Sequence, residues 1–197
     1  MRLRKLEERD AEGMLEWMKD PEINKNFRFS TNDNNLQDAL HFIRGAETMP
    51  VEGKSIHYAI AGENDEYLGT ISLKNFNMVD KNAEYAISLR TKAQGKGIAA
   101  QATKLLLKKA FETFNLERVY LNVLADNTRA IKLYEKSGFV YEGEFRKCLY
   151  LRGGYKDLKW YSILRDEYWG GVIKSYRVQP PIGFIMFVDR TYVREVA

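Results

Sequence analysis

Apolar residues recur at two spacings along the chain, and these spacings predict alternating strands and helices. Short runs such as Ile56 to Ala61 and Tyr67 to Leu73 are rich in β-branched and aromatic residues, which is typical of strands. The turn-forming residues 62–66 join these two runs into an antiparallel hairpin. Strands are predicted at 3–6, 56–61, 67–73, 82–89, 118–123, 139–145 and 156–164.

Longer segments repeat their apolar residues every three or four positions, which predicts amphipathic helices. Asp10 and the polar run 31–35 are expected to cap the first two helices. Gly138 is expected to end the last one. The predicted helices cover 10–18, 36–43, 97–114 and 127–136. The inward positions of the longest helix are predicted to be Ile98, Ala102, Leu105, Leu106, Ala110 and Phe111.

The chain changes character after residue 168. Gly170-Gly171 is expected to break it, and Pro180-Pro181 separates two apolar runs, Val172 to Val178 and Ile182 to Val188. The second run would favour association with other molecules if it were exposed. We therefore divide the chain into a domain over 1–168 and a C-terminal extension over 169–197. That extension is expected to be either an extra hairpin packed on the domain or a contact between the subunits of a homodimer.

Composition narrows the class of protein. The chain has 197 residues, 45% of them hydrophobic, which suits one globular domain, and no apolar run approaches bilayer length. The N-terminus lacks a secretory leader, and one cysteine, Cys148, fits a reducing compartment, so a cytoplasmic protein is expected. Cys148 itself is expected to be a small buried residue. Two scattered histidines offer no metal-ligand spacing, and a net charge of +4 without a basic block does not favour nucleic-acid binding.

The segment Arg90 to Ala99 is the most informative for function. It places Gln94 and two glycines, Gly95 and Gly97, where a strand gives way to a helix. A helix start exposes main-chain N–H groups, and glycines let a phosphate approach them. The turn is therefore predicted to hold a pyrophosphate, with Lys96 either adding charge or lying in solvent. A Rossmann site is the rival explanation, but Ala100 stands where it needs a third glycine, and the early hairpin is antiparallel.

Three segments together resemble the GNAT superfamily of acyl-CoA-dependent N-acetyltransferases. Gln94-Gly95-Lys96-Gly97-Ile98-Ala99 resembles its Arg/Gln-x-x-Gly-x-Gly/Ala motif. Residues 127–139 resemble the helix that follows, with its Asn-x-x-Ala…Tyr…x-Gly-Phe pattern, and Leu68-Gly69-Thr70-Ile71 resembles an earlier strand. The resemblance covers about residues 1–168. With the order of elements, it implies an α/β (α+β) fold: a mixed, mainly antiparallel central sheet with helices on both faces.

The resemblance also implies where acetyl-CoA, the expected co-substrate, would bind. The strand at 82–89 splays from its neighbour on a bulge, so that its main chain pairs with the pantetheine arm and polarises the acetyl carbonyl. Asn127 either hydrogen-bonds the cofactor or caps its helix, or does both. The residues assigned to the cofactor are Ala86, Ile87, Ser88, Leu89, Gln94, Gly95, Lys96, Gly97, Ile98, Ala99 and Asn127.

Direct acetyl transfer from the thioester to an amine requires a base and an acid. The resemblance assigns Tyr134 as the acid that protonates the leaving thiolate, and the alternative is a core aromatic on an amphipathic helix. Glu84 lies where many family members place a carboxylate base, and the alternative is a charge on a half-exposed strand. The late position of Cys148 argues against a covalent enzyme intermediate.

The acceptor is expected to be a primary amine, either a small molecule such as an amino-sugar nucleotide or a protein N-terminal or lysine amine. A non-catalytic CoA-binding module is the alternative from another class. No membrane, nucleic-acid or metal partner is expected. The residues that could line the acceptor side are Phe27, Arg28, Phe29, His41, Asn75, Phe76, Asn77 and Tyr155.

Overall fold

The computed structural model describes residues 1–27 and 33–176, and within them the chain forms one mixed sheet between two layers of helices. The strands lie in the order β1-β2-β3-β4-β5-β7-β6. Every neighbouring pair is antiparallel except β4 and β5, which run parallel. This arrangement confirms the predicted mixed, mainly antiparallel fold and is incompatible with a Rossmann sheet, which is wholly parallel.

The predicted strands and helices appear in the predicted order, together with two helices, at 21–24 and 165–176, that were not predicted. The strands are β1 Arg2–Lys5, β2 Ile56–Ala61, β3 Tyr67–Asn77, β4 Asn82–Leu89, β5 Arg118–Leu124, β6 Val140–Leu151 and β7 Gly154–Leu164. The helices are α1 Ala11–Lys19, α2 Pro21–Asn24, α3 Leu36–Arg44, α4 Ile98–Lys108, α5 Thr128–Lys136 and α6 Arg165–Tyr176. A π-helical segment, Lys109–Thr113, continues α4.

The two faces of the sheet carry separate apolar clusters. Ile60 and Ile71 point to α4, in a cluster completed by residues such as Leu106. Ala59, next to Ile60 on β2, packs instead with Met14 and other residues of α1 and α3. Successive side chains of a strand point to opposite faces, so α4 and α5 cover one face, and α1 to α3 cover the other. We call these the α4 face and the α1 face.

Helix caps differ from the sequence expectation at one of two positions. Asn35 caps α3 as expected, because its side chain accepts hydrogen bonds from the main-chain N–H groups of Gln37 and Asp38. Asp10 precedes α1 but makes no cap hydrogen bond. Its buried carboxylate instead pairs with both terminal nitrogens of Arg4, at 2.7 and 2.8 Å. Arg4 therefore ties α1 to the edge strand β1.

The C-terminal region departs most from expectation. The pair Gly170-Gly171 does not break the chain, because α6 runs through it, and residues 172–176 are helical rather than part of a hairpin. Tyr168 anchors the start of this helix: its hydroxyl donates to Glu112, and its ring packs on Phe111. The apolar run from Ile182 to Val188 lies outside the described residues. In the described part of the chain, no helix is long and apolar enough to cross a bilayer.

The β6–β7 hairpin is longer than predicted and forms one edge of the sheet. Among the residues that the structure describes, β6 pairs only with β7, and most of its side chains are exposed. Cys148 lies on this strand and is exposed, which corrects the expectation that it is buried. At the hairpin tip, Arg152 donates to the main-chain oxygen of Asn24 at 2.8 Å. The tip therefore reaches the end of α2 on the α1 face.

Candidate functional site

A gap opens in the middle of the sheet between β4 and β5. These strands pair at three positions, from Asn82 opposite Arg118 to Glu84 opposite Tyr120, and not beyond. β5 continues to pair with β7 as far as Leu124. Within the described residues, 85–89 of β4 therefore have no partner strand on that side. The gap closes at Glu84 and opens toward Leu89, and this divergence agrees with the splaying of β4 that the resemblance implied.

The bulge implied for β4 is not where it was expected. β4 pairs with β3 without interruption from Leu89 to Glu84. The register shift falls between Lys74 and Asn77 of β3, where Asn75 adopts a positive φ of 52°. An extra residue in β3 thus bends the sheet just beside the closed end of the gap.

The main chain of β4 presents alternate groups to the gap. Arg90 donates its N–H to the carbonyl of Leu68, which assigns that pair as hydrogen-bonded. In an antiparallel ladder such pairs alternate, so Ala86 and Ser88 direct their N–H groups to β3. Ile87 and Leu89 direct theirs into the gap. The expected donors on 86–89 therefore reduce to Ile87 and Leu89.

Gly69 allows β4 to lie this close to β3. A Cβ at Gly69 would stand 2.2 Å from the carbonyl oxygen of Ser88 and 2.9 Å from the Cα of Leu89. No side chain could be accommodated there without displacing the main chain of β4. The glycine of the Leu68-Gly69-Thr70-Ile71 segment therefore positions the strand that borders the gap.

The glycine turn lies at the open end of the gap, immediately before α4. Gly95 and Gly97 have φ of 77° and 74°, a left-handed conformation that favours glycine. An added Cβ at Gly95 would meet no described atom within 4 Å, so the turn is open on the side to which that Cβ would point. The first N–H groups of α4, at Ile98 and Ala99, have no carbonyl partner within the helix. The turn can therefore receive an anion on main-chain donors, and exposed Lys96 can add charge.

Gln94 joins the turn to its neighbours on both sides. Its Nε2 donates to the carbonyl of Leu89 at 3.2 Å, and its Oε1 accepts from Arg129 at 2.7 Å. Arg129 lies in the first turn of α5 and was missed in the sequence analysis. A cation at a helix N-terminus opposes the helix dipole, which is the signal that could have identified it. Gln94 thus works as a brace between β4 and α5.

Asn127 caps α5, because its Oδ1 accepts the main-chain N–H of Ala130 at 3.2 Å. This confirms the cap alternative. A contact with the cofactor stays a prediction.

Tyr134 is buried on the α4 face near the closed end of the gap. It is 9% exposed, and its ring packs edge-on against Tyr85 and Phe139 at centroid distances of 5.7 and 6.0 Å. Burial raises the pKa of Tyr134 to about 12, because ionisation would place a charge among apolar groups. The hydroxyl is therefore protonated throughout the physiological pH range.

Glu84 points to the opposite face. The hydroxyl of its neighbour Tyr85 bonds Thr103 of α4, so Glu84 lies on the α1 face. Its carboxylate accepts from Lys74 Nζ at 3.0 Å and from Asn75 Nδ2 at 3.2 Å. The Glu84 side chain is 18% exposed. A carboxylate and a phenol thus stand on opposite faces of the sheet at the closed end of the gap.

The residues proposed for the acceptor side lie in different environments. Phe76 is 1% exposed and belongs to the core, because β3 continues to Asn77 where a loop was expected. Asn75 contacts Glu84, whereas Asn77 bonds Asp80 in the following turn. The other described members are Phe27, which packs against Trp17, and the exposed His41 and Tyr155. Arg28 and Phe29 lie outside the described residues.

His57 has a structural environment. Its Nδ1 lies 2.7 Å from Ser72 Oγ, and its ring packs on Phe42. Burial, and after it the charge of Lys74, lowers the pKa of His57 to about 4. His57 is therefore neutral near pH 7. In the part of the chain that the structure describes, no group of three or more His, Cys, Asp or Glu side chains could hold a metal ion.

Comparison with known proteins agrees with this geometry. Residues 1–140 match the family described as the acetyltransferase (GNAT) domain. The uncharacterised N-acetyltransferase p20 of Bacillus licheniformis is 32% identical over 172 residues, which cover 85% of this chain and 94% of that protein. Spermidine N(1)-acetyltransferase of Vibrio cholerae is 32% identical over 111 residues, which cover 56% of this chain and 64% of that enzyme.

The fold has a counterpart among solved structures. The crystal structure of spermidine N-acetyltransferase from Vibrio cholerae, in complex with CoA and spermine, superimposes with a TM-score of 0.75. The match has 24% identity and covers 85% of this chain and 97% of that one. The glycine turn, the gap and the match over residues 1–140 lead to one conclusion. The chain belongs to the GNAT family of N-acetyltransferases.

Proposed function

We propose that this N-acetyltransferase moves the acetyl group of acetyl-CoA to a primary amine of a small polycation of the polyamine class. One observation carries the proposal. Glu84 and Tyr134 flank the closed end of a gap in the sheet whose open end meets the glycine turn. An acid, a base and an anion site are thereby arranged along a single channel.

The channel suits the shape of a coenzyme A thioester. The diphosphate would bind the N–H groups of the turn at residues 94–99, where glycines keep the surface open. The pantetheine arm would lie along residues 85–89, as an added strand pairing with Ile87 and Leu89. Five residues of strand span roughly 16 Å, which brings the thioester to the closed end of the gap.

Each catalytic requirement has a residue at that end. Glu84 accepts the proton of the attacking amine from the α1 face, and main-chain N–H groups of β4 stabilise the charge that develops on the carbonyl oxygen. Tyr134 donates its proton to the departing thiolate from the α4 face. The amine attacks directly, and the exposed Cys148 on β6 takes no part.

The acceptor class is supported by the relatives and by charge. The Vibrio relatives are named for spermidine, and one of their structures contains spermine. The carboxylate of Glu84 suits an ammonium ion, because opposite charges attract most strongly at a partly desolvated site. These relatives give no support to an amino-sugar nucleotide. A protein amine stays the second prediction and becomes an outcome of the test.

Thiol release with a panel of amines tests the acceptor. The purified protein is supplied with acetyl-CoA and spermidine, an amino-sugar nucleotide or a peptide with a free α-amine. We expect kcat/KM for spermidine to exceed the other values by about tenfold or more, corresponding to roughly 1.4 kcal/mol of selective transition-state binding. Faster turnover of the peptide or of the sugar would overturn the polyamine assignment.

The diphosphate site can be tested separately with Gly95→Ala. A Cβ would project into the open side of the turn, and acetyl-CoA is expected to bind about 10–100-fold more weakly in titration calorimetry. Gly153→Ala is the matched control, because Gly153 also has a positive φ, 81°, and nothing within 4 Å. Both variants carry a similar backbone strain of about 1–2 kcal/mol. Equal affinity in the two variants would place the diphosphate elsewhere.

A further inference from the structure

Lys74 stands where an acceptor amine would be expected to stand. Lys74 lies on β3, on the side of β4 away from the gap, and its Nζ reaches Glu84 Oε1 at 3.0 Å on the α1 face. Glu84 stands at the closed end of the gap, and in the proposed mechanism the acceptor attacks from this face. A distance of 2.6–3.2 Å is what direct proton transfer between an amine and a general base requires. The contact between Lys74 and Glu84 therefore reproduces, within one chain, the contact of a substrate ammonium with the base.

The surroundings of Lys74 hold it at that place without burying it. Lys74 lies directly opposite Glu84 in the register of β3 and β4. The next residue, Asn75, occupies the bulge and holds the second carboxylate oxygen. The Lys74 side chain is 34% exposed, and its charge contributes to the lowered pKa of His57. The amine thus reaches both solvent and the base.

We propose that Lys74 is an internal acceptor, which the enzyme acetylates with its own acetyl-CoA when no free amine occupies the site. The inference rests on the function proposed above, since it uses the same donor, base and acid. It adds a modification site, Lys74, on the enzyme's own chain. It also means that the enzyme alters its own active site when it acetylates that residue.

The step balances with groups already present. Glu84 takes a proton from the Lys74 ammonium, and the neutral amine attacks the thioester carbon. The new C–N bond forms as the C–S bond breaks. The thiolate receives a proton from Tyr134, and the second proton lost by the attacking nitrogen goes to solvent. Glu84 then releases its proton to solvent and Tyr134 regains one from it, which leaves one net proton released. The products are Nε-acetyllysine and free CoA, with no change of oxidation state.

Acetylation would change the site for later substrates. The neutral amide no longer pairs with the Glu84 carboxylate, so this base becomes available to an incoming ammonium. Self-acetylation is also limited to one event per chain, because the product nitrogen is no longer basic. Acetylation of Lys74 would therefore mark enzyme molecules that had bound acetyl-CoA while no acceptor amine was present.

Peptide mass spectrometry of the full chain incubated with acetyl-CoA alone tests the inference. Lys108 is the matched control, because it also faces a carboxylate, Glu112 at 4.0 Å, but lies on α4 away from the gap. We expect acetylation of Lys74 to be at least about tenfold faster than that of Lys108, with a rate independent of protein concentration. In Glu84→Gln and Tyr134→Phe, the Lys74 rate is expected to fall about tenfold or more, while the Lys108 rate is unchanged.

Three results would overturn the inference: no preference for Lys74 over Lys108, a Lys74 rate unaffected by both substitutions, or a rate that rises with protein concentration. Spermidine turnover by the same preparation separates this failure from that of the proposed function. If spermidine is acetylated and Lys74 is not, only the internal acceptor is wrong. If neither is acetylated, the proposed function fails as well.

Discussion

Replacing Tyr134 by Phe is expected to lower kcat by about 10²–10³-fold, or roughly 2.7–4.1 kcal/mol of transition-state stabilisation. The ring would keep its edge-on contacts with Tyr85 and Phe139, so the fold and the dissociation constant of acetyl-CoA should change little. Only the proton for the leaving thiolate is removed. Steady-state thiol release measures kcat, and calorimetry measures cofactor affinity.

Tyr161→Phe is the matched control for this substitution. Tyr161 is also a buried tyrosine, 2% exposed, and its hydroxyl bonds Glu135 rather than facing the gap. Loss of the Tyr161 hydroxyl should change kcat by no more than about threefold. Loss of a general acid should lower it by a much larger factor. A comparable loss of kcat in both variants would indicate that Tyr134 is a core aromatic residue and not the general acid.

The pKa of Tyr134 gives the pH dependence a definite sign. In the proposed mechanism the neutral phenol is the active form, and burial raises its pKa to about 12. The acid is therefore available at every pH below that value, and kcat should not fall between pH 8 and 10 through its ionisation. A decline in that interval that disappears in the Tyr134→Phe variant would contradict the buried-phenol description.

Replacing Glu84 by Gln should produce the second large effect, a loss of about 10²-fold in kcat at pH 7. The amide is close to the carboxylate in shape but cannot accept the proton of the amine. Because unassisted amines lose their protons as pH rises, the deficit should shrink toward pH 10. A pH series of kcat in the two proteins measures this recovery.

Glu142→Gln is the matched control for Glu84→Gln, because it also removes an ion pair on the sheet. Glu142 of β6 pairs with Arg118, as Glu84 pairs with Lys74, and it lies outside the gap. We expect this control to turn over at close to the wild-type rate. If Glu84→Gln retained full activity, the carboxylate would be only a charge on a half-exposed strand, which was the alternative from the sequence, and its partner would be Lys74.

The glycine motif predicted the local main-chain conformation of the turn better than periodicity predicted the edges of the fold. Two glycines before a helix indicated the turn, because main-chain conformation is local and leaves a residue-type signature. The gap between β4 and β5 came from the resemblance alone, since strand divergence depends on distant partners. The brace from Arg129 to Gln94 joins residues 35 apart in sequence, and a local pattern does not report such a contact.

Two errors in predicted burial followed from the rotation of helix α4 and from the length of strand β3. Leu105 was predicted to face inward, but it is 36% exposed, whereas Leu107 is 3% exposed. Leu107 follows Thr103 by one helical turn, and Thr103 bonds Tyr85, so the inward stripe is rotated toward this pair. Phe76 was misplaced because a strand extended by a bulge is not distinguished from a loop by alternation alone.

The placement of Glu84 and Tyr134 on opposite sides of the sheet has a consequence for the catalytic cycle. In the mechanism we propose, Glu84 gains a proton on the α1 face in each turnover, and Tyr134 gives one up on the α4 face. Because the two groups lie on opposite faces of the sheet, each would be restored by its own exchange with water and not by direct transfer between them.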